Sequence, residues 1–157
     1  MRLRSHLSSS NYSFHKCDKV GIIYNTDLFI KYQVKDLIQL LKEEGKKVTS
    51  LGFHTVDSGK LQDSSIDLNQ FDFWGSLRPN KNVELLLGQK QDLLICLDDE
   101  NNYAINYLVT KAESNFKVGI SENEDSNKKF DLIVKCAHAN NKASELIKYL
   151  KLIASNE

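Results

Sequence analysis

The chain contains five short apolar runs, and in the stretches between them the apolar residues are spaced differently. The runs lie within residues 19–25, 46–54, 92–97, 117–121 and 131–137. The third run is apolar at consecutive positions, which is typical of a strand with helices on both of its faces. The pattern therefore predicts five strands, and the third one is expected near the centre of the sheet.

Between the first two runs, apolar residues recur at positions i, i+4, i+7, i+8 and i+11, which places them on one face of a helix. These residues are Ile30, Val34, Leu37, Ile38 and Leu41. Gly45 is expected to end this helix, and Asn25, Thr26 and Asp27 are residue types that cap helix starts. A strand, a helix and a strand in about thirty-five residues predict a right-handed βαβ unit.

Three further helices are predicted after the second strand. A short one covers Val83 to Leu87 and ends at Gly88, and a second carries the spacing of Ala104, Tyr107, Leu108 and Ala112. The C-terminal helix is marked by Leu146, Ile147, Leu150 and Ile153. Residues 55–82 show neither the helix nor the strand spacing of apolar residues, and a loop of this length is commonly functional or mobile.

Strands that alternate with helices predict an α/β fold. We expect an open, mainly parallel five-stranded sheet with helices on both faces, Rossmann-like or flavodoxin-like. Residues 18–157 form the single domain, and the polar, serine-rich residues 1–17 are predicted to be a flexible N-terminal arm. The link from Ser121 to Asp131 is shorter than a parallel crossover usually needs. The fifth strand is therefore a candidate for antiparallel pairing, or the link crosses the end of the sheet without a helix.

Composition narrows the class of partner. Lys plus Arg and Asp plus Glu are 21 each, so no overall charge favours nucleic acid or a membrane surface. No apolar run approaches the length of a membrane span. Three cysteines without a CxxC spacing are typical of a reducing compartment, which predicts a cytoplasmic protein.

Ligands of open α/β sheets bind outside the carboxyl ends of the strands. The polar residues that we place at this edge, and predict as ligand-binding, are Asn25, Thr26, Asp27, Asp98, Asp99 and Ser121. Asp98, Asp99 and Glu100 are adjacent carboxylates, and Asp98 and Asp99 could hold Mg²⁺ through oxygen ligands. The alternative is that Asp98 or Asp99 caps the helix that starts near Asn101.

Several chemistries lack their sequence signature. The turn after the first strand, "YNTDLF", has no glycine for a dinucleotide phosphate, and neither a P-loop nor a GxSxG elbow is present. His15 with Cys17, and Cys136 with His138, could share zinc only if the fifth strand ran antiparallel to the first. Trp74 is either a recognition aromatic or part of a cluster that packs the long loop onto the sheet.

Receiver domains offer a further comparison, because their acidic pocket binds Mg²⁺. Asp98 or Asp99 would stand at the phosphoacceptor position, with Ser121 and Lys135 after the fourth and fifth strands. The chain departs from these domains, since "YNTD" replaces the adjacent acidic residues after the first strand. We therefore predict a binding or interaction module for an unknown small molecule or protein partner. The alternatives are an Mg²⁺-dependent enzyme, a glycosyltransferase-like sugar-nucleotide domain, or a degenerate receiver-like domain.

Two resemblances bear on these expectations. The segments "FDFWGSLRP", "DLLICLDDENNYAINYLVTKAESNFKVGIS" and "FDLIVK" resemble a family of short bacterial α/β proteins classified as a domain of unknown function. This resemblance implies the fold and no catalytic residue. The order of a strand, a helix and a "KVG" strand is also similar, more faintly, to the N-terminal half of heptosyltransferase-type glycosyltransferases.

Overall fold

The structure is a computed structural model of the 157-residue chain. It describes residues 4–5, 12–28, 33–54, 65–66, 71–72, 74–98, 102–120, 130–135 and 141–154. The predicted α/β fold is confirmed: a parallel sheet of five main strands is covered by helices on both faces.

The main strands are β2 (Lys19–Asn25), β3 (Lys47–Phe53), β5 (Gln91–Leu97), β6 (Ser114–Ile120) and β7 (Leu132–Val134). Two-residue strands flank them at the sheet edges, namely β1 (Arg4–Ser5) beside β7 and β4 (Ser65–Ile66) beside β3. The order across the sheet is β1-β7-β6-β5-β2-β3-β4. The five main strands thus follow the flavodoxin-like order 2-1-3-4-5, in which chain direction across the sheet reverses between β2 and β5.

Of the two alternatives for the fifth strand, antiparallel pairing is wrong. β7 pairs in parallel with β6, with Val118 opposite Leu132 and Ile120 opposite Val134. The strand has only three residues, so the returning chain needs to cover roughly 10 Å along the sheet. A fully extended chain of the length of residues 121–131 spans several times that distance, so the shortness of this link does not exclude a parallel strand. Zinc shared by the two His and Cys pairs would require a fifth strand antiparallel to the first, and β7 does not run in that direction.

The described residues form four α-helices, α1 (Val34–Glu43), α2 (Lys81–Leu87), α3 (Tyr103–Lys111) and α4 (Lys142–Ala154). The first begins later than predicted, because residues Thr26–Leu28 form a separate 3₁₀ turn. Asn25, Thr26 and Asp27 consequently do not cap α1. Gly45, at a φ of 78°, follows the end of α1, as expected for a helix stop in the left-handed region.

Alternate residues of each central strand enter two separate cores. Leu93 and Ile95 of β5 face the core beneath α1 and α4, whereas Leu94 and Cys96 face the core beneath α2 and α3. All four side chains are buried. Burial on both faces explains why this strand reads as a continuous apolar run.

The described part of the predicted N-terminal arm lies against the domain. Tyr12, Phe14 and Cys17 are buried in the core beneath α1 and α4, and the Tyr12 ring stacks on Phe116 with centroids 4.2 Å apart. None of the described helices combines the length and the apolar composition that a membrane span requires.

Candidate functional site

The Asn25 side chain links the carboxyl ends of β2 and β5 at the point where the strand order reverses. It is the last residue of β2 and is fully buried. Its Nδ2 donates a hydrogen bond to Asp98 Oδ1 at 3.4 Å, and its Oδ1 accepts one from the Asp27 backbone N–H at 3.0 Å. These contacts fix which amide atom faces which neighbour, since only the nitrogen can donate. The Asp98 carboxylate is thereby held beside the carboxyl end of β2.

Asp98 also connects the sheet to α3. Its Oδ2 accepts a hydrogen bond from the Asn102 backbone N–H at 2.8 Å. The Asn102 side chain in turn accepts from the backbone N–H groups of Ala104 and Ile105, at 2.9 and 3.2 Å. The cap of α3 is therefore Asn102. The alternative that Asp98 or Asp99 caps this helix is wrong for Asp98, and Asp99 lies outside the described residues. Asp98 instead positions Asn102.

Thr26 connects the end of β2 to the end of β3 through hydrogen bonds. Its Oγ1 lies 3.1 Å from the Phe53 carbonyl oxygen and 2.8 Å from Nδ1 of His54. A hydroxyl has one hydrogen, so when Thr26 donates it to Phe53 the His54 Nδ1–H is the donor to Thr26. This pairing brings an imidazole to the same edge as Asp98.

We call Asn25, Thr26, Asp27, His54, Asp98 and Asn102 the carboxyl-edge cluster. Its members lie at or just after the carboxyl ends of three neighbouring strands, β5, β2 and β3. Neighbouring strands lie about 4.8 Å apart, so the cluster spans roughly 10 Å, the width of a small polar ligand. It offers two carboxylates, an imidazole, a hydroxyl and two amides, which can bind polar groups or a hard cation.

The structure brings four of the six predicted binding residues to this edge, namely Asn25, Thr26, Asp27 and Asp98. Asp99 and Ser121 lie outside the described residues. Among those it describes, no group of three or more His, Cys, Asp or Glu side chains is placed to hold a metal ion. Asn102 was missed, although an asparagine just before an apolar-periodic stretch is a recognised cap signal.

The opposite edge of the sheet carries a second polar group, centred on Asp92. Its Oδ2 accepts from the backbone N–H groups of Asp18 and Lys19, at 2.8 and 2.9 Å. These bonds, that from Lys19 first, hold the pKa of the carboxyl below its usual value. A pocket of about 340 Å³ lies beside it and is lined in part by Asn115 and Phe116.

Lys46 fastens the N-terminal segment at the same edge. The residue is buried, and its Nζ donates to the carbonyl oxygens of Phe14 and Cys17, both at 2.7 Å. The ammonium also lies 4.6 Å from the centre of the Phe14 ring, within reach of a cation–π attraction. Burial raises the pKa of the Cys17 thiol, as does nearby Asp92, so the thiol is held in its protonated, less nucleophilic form. The polar contacts at this edge therefore join parts of the chain to one another.

The fold and the cluster define the class of protein: a flavodoxin-like α/β domain with polar side chains gathered where the strand order reverses. The chain belongs to the family of unknown function DUF6913, whose sequence profile matches residues 2–153. The predicted membership of a domain of unknown function is thus confirmed. No curated protein matches the chain. The fainter likeness to heptosyltransferase-type glycosyltransferases stays a prediction.

Proposed function

We propose that the protein is a binding module whose ligand contacts the carboxyl-edge cluster. The observation that supports this most directly is the hydrogen bond between Asn25 and Asp98, which lies where the strand order reverses. At that point neighbouring connections leave toward opposite faces of the sheet and open a crevice. In this proposal Asp98 and Asp99 contact the ligand from one side, Thr26 and Asp27 contact it from the other, and Ser121 adds a hydroxyl.

The ligand that suits these groups is small and polar, or is a hard cation. Carboxylate and amide oxygens are the ligands that Mg²⁺ prefers, and Asp98 with Asp99 would supply one or two of them. We place the protein in the cytoplasm, because the chain has three cysteines, an odd number without a CxxC spacing, which is not the pattern of a disulfide framework.

A thermal-shift panel with Mg²⁺, Mn²⁺, Zn²⁺, nucleotides and nucleotide sugars tests the proposal. A ligand at one hundred times its dissociation constant stabilises the fold by about 2.7 kcal/mol, which raises Tm by roughly 5 to 10 °C in a chain of this size. We expect a shift in the native protein that Asp98→Asn abolishes.

The matched control is Asp18→Asn, which makes the same chemical change in an exposed aspartate at the opposite edge. Each variant is compared with and without ligand, because Asp98→Asn also loses an acceptor within the fold. A shift that survives Asp98→Asn, or no shift across the panel, would count against a small-molecule or metal site at this edge.

A further inference from the structure

A groove runs along the outer surface between α1 and α4. It encloses about 540 Å³, and Leu40, Ile147 and Leu152 supply its apolar lining. Leu152 is 49% exposed, one of four large apolar side chains that stand out in this way among the described residues. The groove lies on the helical face, away from the carboxyl-edge cluster.

The two helices run side by side in the same direction. At their N-terminal ends, Gln33 Oε1 accepts a hydrogen bond from the Ala143 backbone N–H at 3.3 Å. Near their C-terminal ends, Lys151 Nζ forms an ion pair with Glu44. Contacts at both ends set the register, so the groove has two parallel walls.

These walls carry opposite charges. Glu43 and Glu44 line the α1 side, and Lys148 and Lys151 line the α4 side. Glu44 and Lys151 neutralise each other across the groove. Glu43 is exposed and accepts from Gln39 Nε2 at 3.1 Å, and exposed Lys148 has no ion pair within the described part of the chain.

We propose that this groove is the contact surface for a second copy of the chain. A twofold axis along the groove would place the acidic wall of each copy against the basic wall of the other, with the apolar linings of the two grooves facing each other. From the register of the helices, Lys148 lies level with residues 40–41. Glu43 is therefore within about 5 Å of the Lys148 position of the second copy along the helix axis. Long side chains reach across that offset.

Two properties of the chain favour this occupant over others. A groove with one acidic and one basic wall is complementary to itself, which is the requirement for a twofold contact. Opposite charges also balance over the whole chain, at 21 each, so two copies do not repel each other through net charge.

The experiment is sedimentation equilibrium on the purified full chain over a wide concentration range. We expect a particle of twice the 17.9 kDa chain mass at high concentration. Glu43→Lys or Lys148→Glu alone should weaken the association about tenfold or more, because each change sets like charges opposite each other at two symmetric places. The double exchange, Glu43→Lys with Lys148→Glu, should restore it.

A charge exchange on α2, Glu84→Lys with Lys81→Glu, serves as the matched control, since that helix covers the other face of the sheet. It should leave the association unchanged. Circular dichroism shows whether each variant keeps its fold. A native chain that stays monomeric throughout, or single reversals without effect, would overturn the proposal. So would a double exchange no tighter than the single ones, because self-complementary walls require the rescue.

Discussion

Replacing Lys46 by methionine should loosen the N-terminal segment from the sheet. The buried ammonium donates to two backbone carbonyl oxygens, those of Phe14 and Cys17, at 2.7 Å each. A hydrogen bond to a charged group contributes about 1.5 to 3 kcal/mol. The loss is partly offset, since methionine fills the space without the cost of burying a charge. We expect a net destabilisation of about 2 to 3 kcal/mol, or roughly 4 to 12 °C in Tm.

Lys47 provides the comparison for this substitution. Its Nζ pairs with Asp18 at 3.0 Å, but the two side chains are 75% and 55% exposed. Exposed pairs contribute little, so Lys47→Met should change the free energy of unfolding by less than about 0.5 kcal/mol. The assay is urea denaturation of the two variants and the native chain at neutral pH. Equal midpoints for Lys46→Met and Lys47→Met would refute the view that Lys46 fastens the segment.

Three other substitutions test single features of the structure. Tyr12→Phe should stabilise the protein by about 1 kcal/mol, because the buried Tyr12 hydroxyl has no hydrogen-bond partner in the described structure; a lower Tm would mean that the hydroxyl is bound. Asp92→Asn should lower Tm at neutral pH and lose that effect in acid. The pKa of Asp92 is lower in the folded protein than in the unfolded chain. The carboxylate therefore stabilises the fold at pH values above its unfolded-state pKa, and this stabilisation disappears as the pH falls through its folded-state pKa. A difference in Tm between the variant and the native chain that stays constant from pH 7 to about pH 2 would be inconsistent with this. Asn102→Ala should cost about 1 kcal/mol by removing the α3 cap, and chemical denaturation that shows no loss would speak against that role.

The strands and the polar edge could be predicted because each depends on local pattern. The β5 run is apolar on both faces, which identifies a central strand, and the residue after such a strand falls at the carboxyl edge. Asp98 was placed correctly by that argument alone. Asn25 was placed by the same rule, although its burial and its bond to Asp98 depend on which strands are neighbours.

Contacts between distant residues escaped prediction. Lys46 binds carbonyl groups 32 and 29 residues earlier in the chain, and a backbone carbonyl has no sequence signal of its own. The start of α1 was misplaced because Asn25 and Thr26 are good cap residues, and here they serve a 3₁₀ turn and a contact with His54 instead. Asp98 and Asn102 are both residue types that can cap α3, and only the hydrogen bonds in the structure show that Asn102 is the cap.

The central claim, a binding site at the carboxyl edge, is tested most directly by the nuclear magnetic resonance signals of side-chain amides during titration with Mg²⁺ and with any compound that raises Tm. Asn25 and Asn102 report on the carboxyl edge, and Asn115 reports on the pocket beside Asp92 at the opposite edge. The account predicts that saturable shifts appear at Asn25 and Asn102, stay absent at Asn115, and vanish in Asp98→Asn. Saturable shifts confined to Asn115 would contradict it and would move the site to the amino edge of the sheet.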